Sequence, residues 1–204
     1  MFSNIMSCVF HPLFMVTYGV LMAVTFTFLA FYPLPMKMLM VGGTFLSTAF
    51  VPGLFIFLLV KNGAAGDIAL SNRKDRVIPY LIFITSLLSC LFFLHRMLLP
   101  YWLLFLLMGA GVALVLALCI NFFWKISAHG IGIGGLLGGI MGVAEINRIN
   151  PYWIFIVVLM VAGLLGTSRL FLKRHTPMQV YAGFCLGFIC TFVAACTSYF
   201  FLFI

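Results

Sequence analysis

Acidic residues are almost missing from this chain: Asp67, Asp75 and Glu145 are the only three, and charged side chains of both signs amount to 7% of the 204 residues. A water-soluble domain carries about 25% charged residues, so the sequence is not written for water. Three scattered acids cannot assemble the carboxylate cluster that a magnesium or calcium site needs. They also exclude the Asp-rich magnesium motifs of a prenyltransferase, because Asp67 and Asp75 are too few and too far apart. CxxC spacing is absent among Cys8, Cys90, Cys119, Cys185, Cys190 and Cys196. That argues against a zinc site or a disulfide framework and leaves the cysteines as small apolar packing residues. Residues 1–10 hold no Lys or Arg, so the basic start of a cleavable signal peptide is not expected. No fixed-period repeat and no low-complexity tract is present, and no GxSx loop surrounds Ser127 or Ser168 as an intramembrane serine protease would require.

What remains is grease. Hydrophobic residues make up 65% of the chain, and with lipid as solvent the backbone must satisfy itself within helices or a closed barrel. Long apolar runs without short alternating segments exclude the barrel. The expected fold is all-α, a polytopic transmembrane helix bundle of about six to seven spans, formed by a single membrane-embedded domain over residues 1–204. A net charge of +8 suits anionic membrane lipids. Nucleic acid is not expected as a partner, since no soluble basic domain is available to hold it.

Seven apolar stretches are read at 9–32, 38–60, 78–94, 98–122, 126–144, 152–172 and 178–203, separated by breaks rich in Pro and charge. Seven crossings put the chain ends on opposite sides. The side bearing residue 1, called face A, then holds eight cations: Lys61, Arg73, Lys74, Arg76, Lys125, Arg169, Lys173 and Arg174. The other, face B, holds three, Lys37, Arg96 and Arg148, together with Glu145. By the positive-inside rule face A would be cytoplasmic; setting aside Arg73, Arg76 and Arg169 as ligand-binding groups reduces the bias to five against three. In the fifth stretch Gly130, Gly134, Gly138 and Gly142 recur every four residues, a smooth face for close helix contact that places His129 near the bundle centre.

Two polar clusters interrupt the apolar pattern on face A. Ser127, Ala128 and His129 open the fifth stretch, and Ser168, Arg169 and His175 bracket the end of the sixth. The two histidines are 46 positions apart, enough for one crossing out and one back at about 20 residues each. A helix start offers unpaired N–H groups to an anion, with Ser127 also suited to the N-cap. Arg presents a planar fork that grips two phosphate oxygens together. Two imidazoles with fixed cations are the parts phosphoryl transfer needs. His11 and His95 have no partner in the sequence pattern and are left outside the site.

Ser168-Arg169, five residues and His175 resemble the third signature of the type 2 phosphatidic acid phosphatase family, SR-x5-H. Ser127-Ala128-His129 resembles its second, PSGH, with Ile126 and Ala128 in place of Pro and Gly. The stretch from Asn72 to Pro79 echoes the first, K-x6-R-P, with Arg76 three residues before Pro79 rather than one. The likeness covers a core of about 66–204. It implies a metal-independent, cofactor-free phosphatase acting on a lipid phosphate or pyrophosphate drawn from the bilayer. Undecaprenyl pyrophosphate, phosphatidic acid, phosphatidylglycerol phosphate and lipid A phosphates are all within that class. His175 would be the nucleophile and His129 the acid, while Arg169, Ser127, Arg76, Arg73 and the amide near Ala128 would hold phosphate. By the same likeness the site would face the periplasm from a bacterial inner membrane. One departure stands out: where the family has an Asp one turn after the nucleophile, this chain has Gln179. Either Gln179 orients His175, or Asp67 or Asp75 replaces the missing acid. The alternative function is a non-catalytic lipid-phosphate binder or transporter that keeps the site. The pattern does not assign an oligomeric state.

Overall fold

The computed structural model describes residues 2–63 and 73–201, so Asp67 lies outside the described residues. Within them the chain is all-α, with no strand. The helices are α1 (Phe2–Val9), α2 (Pro12–Phe26), α3 (Leu34–Phe45), α4 (Val51–Lys61), α5 (Val77–Arg96), α6 (Tyr101–Asn121), α7 (Ala128–Asn147), α8 (Tyr152–Phe171) and α9 (Pro177–Ser198). Six are long and apolar enough to cross a membrane, counting α3 and α4 as one helix, and the bent pair of α1 and α2 makes a seventh. The protein is an integral-membrane helix bundle. Its outer surface agrees: Trp153 and Phe123 are more than 80% exposed, which a lipid solvent rewards and water would not.

The expected stretch 9–32 is the one the structure revises most. Helix α2 begins at Pro12 and ends at Phe26, with α1 bent away from it by 59°. Proline suits a first helical turn, where its missing N–H costs nothing, but a helix cannot run straight through the clash it creates behind it. His11 fills the break as N-cap of α2, its Nδ1 accepting from the Leu13 amide at 3.4 Å. Helices α3 and α4 run together as one span through a π turn at Leu46–Phe50, where the Val51 amide reaches back to the Leu46 carbonyl. The extra residue re-registers the ladder just before Pro52, which has no amide to give. Only Cys90 meets the packing expectation in full; Cys8, Cys119 and Cys185 are exposed.

Helices α7 and α9 form the most extensive pair in the bundle, and glycine is the reason. A methyl built on Gly130 would lie 2.8 Å from the Val180 carbonyl. On Gly134 and Gly138 it would collide with the carbonyls of Phe184 and Phe188, and on Gly187 of α9 with that of Ile131. The two backbones therefore touch over more than two turns. Thr191 Oγ1 adds a cross-helix bond to the Gly135 carbonyl at 2.9 Å. Between helices in lipid there is no hydrophobic drive, so this close van der Waals contact is what binds them. Because α7 and α9 both start on face A, the seam holds their N-termini side by side.

Replacing Gly134 by Ala should destabilise the detergent-solubilised protein by about 2 kcal/mol, since backbone cannot move aside as a side-chain tip can. Gly163→Ala on α8, where nothing lies within 4 Å, should be neutral or stabilising by up to about 1 kcal/mol. Thermal unfolding of both variants checks the contrast, and equal melting temperatures would contradict the seam.

Candidate functional site

Ser127 is the N-cap of α7: its Oγ accepts from the Gly130 amide at 3.2 Å and its carbonyl accepts from Ile131. The amides of Ala128 and His129, ahead of those two, head the helix and carry its positive end. The Ser127 amide donates across the seam to the Gln179 carbonyl at 3.2 Å. Just upstream, the Ile126 carbonyl accepts from Arg76 Nη1 at 3.0 Å, so the start of α5 is tied to the same point. Ser127, His129, Arg169, Arg76 and His175 are all buried.

Arg169 stands in the last turn of α8, where the helix dipole favours a cation. The chain then turns sharply: Arg174 donates its amide back to the Arg169 carbonyl at 3.2 Å, and Lys173 takes a left-handed φ of 52°. That conformation costs a non-glycine residue about 1 kcal/mol. It returns His175 to the side of Arg169. Ser168 is absorbed locally, its hydroxyl donating to the Leu164 carbonyl at 2.8 Å.

The environment of His175 determines its tautomer. Gln179 Oε1 lies 2.9 Å from His175 Nδ1 and also accepts the Thr176 amide at 3.3 Å, closing a capping box on α9. An atom that takes an amide hydrogen is the oxygen of the side chain, so the imidazole must donate to it. Nδ1 carries the proton and Nε2 keeps its lone pair. Gln179 therefore bonds to the Nδ1 side of His175, while Asp67 lies outside the described residues. Burial pushes the His175 imidazole from 6.5 down to about 4. The Gln179 bond opposes that shift, while Arg76, Arg169 and Lys125 add to it. At neutral pH His175 is an uncharged base with one bare nitrogen. It borders a surface cleft of about 560 Å³ that Lys125, Lys173 and Arg174 also line.

His129 lies within electrostatic reach of Arg169, His11 and His175. Its Nε2 is 3.0 Å from the Ser7 carbonyl, which can only accept, so that nitrogen carries a hydrogen. The structure therefore brings His175, His129, Arg169, Arg76, Gln179, Ser127 and Ala128 to one end of the bundle. Arg73 goes elsewhere: its Nη1 donates to the exposed Phe123 carbonyl at 2.6 Å. There it ties the strap before α5 to the end of α6.

Two residues were missed by the sequence pattern. His11 packs its ring against His129 with centroids 5.5 Å apart, and Ser7 Oγ accepts from Arg169 Nη1 at 3.2 Å. A histidine before Pro12 at the face-A end of an apolar run was the available signal for the first; Ser7 had none. Among the described residues no three His, Cys, Asp or Glu side chains gather as a metal site would need. Comparison with family models, curated proteins and solved structures finds no match to this chain.

Histidine NMR of the solubilised protein should show His175 titrating near pH 4, in its Nδ1–H form above that. Gln179→Leu removes the bond that raises the value and should lower it further. Gln179→Glu adds a negative partner and should raise it. Titration of His175 at 6.5 in the unaltered protein would contradict the buried, neutral imidazole.

Proposed function

We propose that this chain is an integral-membrane lipid phosphatase of the type 2 phosphatidic acid phosphatase kind. The observation that carries the reading is the fixed Nδ1–H tautomer of His175, which leaves Nε2 bare beside Arg76 and Arg169. A neutral imidazole is a nucleophile; an imidazolium is not. In this reading Nε2 attacks phosphorus and the bond from phosphorus to the lipid oxygen breaks. His129 in its protonated form gives that oxygen a proton. Water then attacks the phosphohistidine, giving its proton to His129, and inorganic phosphate leaves as the P–N bond breaks. Arg169, Arg76 and the amides heading α7 stabilise the charge that develops.

The lipid part of the reading has separate support. An apolar cavity of about 410 Å³ runs between α2, α6 and α7, from Pro12 and Ala128 beside the polar cluster to Asn150 and Pro151 on face B. A hydrocarbon chain suits such a lining, and a cavity in a bundle can fill from the surrounding bilayer. We place the active face on the periplasmic side of a bacterial inner membrane, following the resemblance over the raw charge count. Gln179 favours one competing reading, a lipid-phosphate binder or transporter without turnover, because an uncharged partner stabilises an imidazolium less than a carboxylate does.

Purified protein should release inorganic phosphate from a panel of lipid phosphates and pyrophosphates, with the rate unchanged by a metal chelator. His175→Ala should abolish release, and His129→Ala should lower kcat by about 10²–10⁴-fold. Protonation of His175 removes the nucleophile, so its acid limb should fall near pH 4 and move upward in Gln179→Glu. Release that survives His175→Ala would overturn the reading, and phosphate binding without release would support the transporter.

A further inference from the structure

One residue of α1 occupies two groups that the proposed reaction uses, the acid His129 and the phosphate-holding Arg169. The Ser7 carbonyl takes His129 Nε2 at 3.0 Å, and the Ser7 hydroxyl takes Arg169 Nη1 at 3.2 Å. A neutral hydroxyl offers a guanidinium one acceptor and no opposite charge, whereas a phosphate can take it with two parallel bonds and a negative charge. Arg169 is also underused, since its Nε is buried with no hydrogen-bond partner. We propose that α1 is a latch. The two oxygens of Ser7 stand where two oxygens of a phosphate group bind, and a phosphorylated ligand enters by displacing them. This rests on the phosphatase reading for the roles of His129 and Arg169.

The segment is built to move as a unit. Helix α1 has eight residues, too short to be stable alone in water. Its Phe2, Ile5 and Val9 form an exposed stripe that a membrane interface can hold when the inner contacts break. It meets α2 at a 59° bend across Phe10 and His11. The residue before a proline is held extended, and His11 is, with φ −66° and ψ 142°. The pivot is therefore a defined joint, and its imidazole rests on the ring of His129. Motion of α1 is transmitted to the proposed acid directly.

A closed latch lowers apparent affinity by the fraction of molecules that are open. Ser7→Ala removes one of two contacts and should tighten binding of inorganic phosphate by about 3–10-fold. A chain lacking residues 1–9 removes both and should bind tighter still. Calorimetry with inorganic phosphate on the detergent-solubilised protein reads affinity without turnover, and the melting temperature of each variant confirms folding. In lipid-phosphate assays Ser7→Ala should lower KM without lowering kcat. Unchanged or weaker phosphate affinity in folded Ser7→Ala overturns the latch. So does a fall in kcat at constant KM, which would make Ser7 a positioning residue for His129. If phosphate binds more tightly to the variant but no lipid phosphate is hydrolysed, the phosphatase reading fails and the latch stands. If hydrolysis proceeds and affinity does not respond to Ser7, the reverse holds. Absence of both binding and hydrolysis in the unaltered protein overturns both.

Discussion

Direct backbone contact between α7 and α9 is the constraint on which the polar end of this molecule depends. Carbonyls of one helix lie where side chains of the other would have to be, as at Gly134 against Phe184 and Gly187 against Ile131. Contact this close leaves little freedom to slide or rotate. Ser127 and Gln179, at the two N-termini, can therefore share a hydrogen bond from amide to carbonyl. His129 and His175 sit on either side of that bond. The relation between the imidazoles is set by packing deep in the membrane rather than by the loops that carry them.

Electrostatics then follows from the shortage of acid. Arg76 and Arg169 are buried at the site, and Lys125, Lys173 and Arg174 stand around the cleft beside it. Glu145 pairs with Arg148, exposed on the opposite face. Arg169 Nη1 bonds to a neutral oxygen, the Ser7 hydroxyl, and Arg76 Nη1 donates to the Ile126 carbonyl. A neutral acceptor does not cancel the charge of Arg169, and the positive groups at this end add to the burial that keeps the His175 imidazole uncharged.

The helical fold was legible because lipid solvent demands long uniform runs, and the breaks between them carry Pro and charge. The glycine spacing in α7 announced the seam, though the Gly183 and Gly187 partners on α9 were not singled out. Within the site, His175, Gln179 and Arg169 were legible through short-range spacing, which a helix end and its turn convert directly into geometry. Arg73 and Arg76 could not be separated: both were expected to hold phosphate, but Arg73 precedes α5 and goes to Phe123. Ser7 and His11 were out of reach for a different reason. They meet Arg169 and His129 across more than 100 positions, and the packing of a bent first segment has no local signature.

Gln179 has a consequence beyond orientation. The same oxygen receives the amide of Thr176, the N-cap of α9, and the ring hydrogen of His175. Fraying of that helix end would therefore also release the imidazole to flip its tautomer or rotate its ring. The tautomer of His175 is in this sense a readout of one turn of secondary structure. Local stability at Thr176, rather than global stability of the bundle, sets the fraction of molecules in which Nδ1 holds the proton and Nε2 is bare.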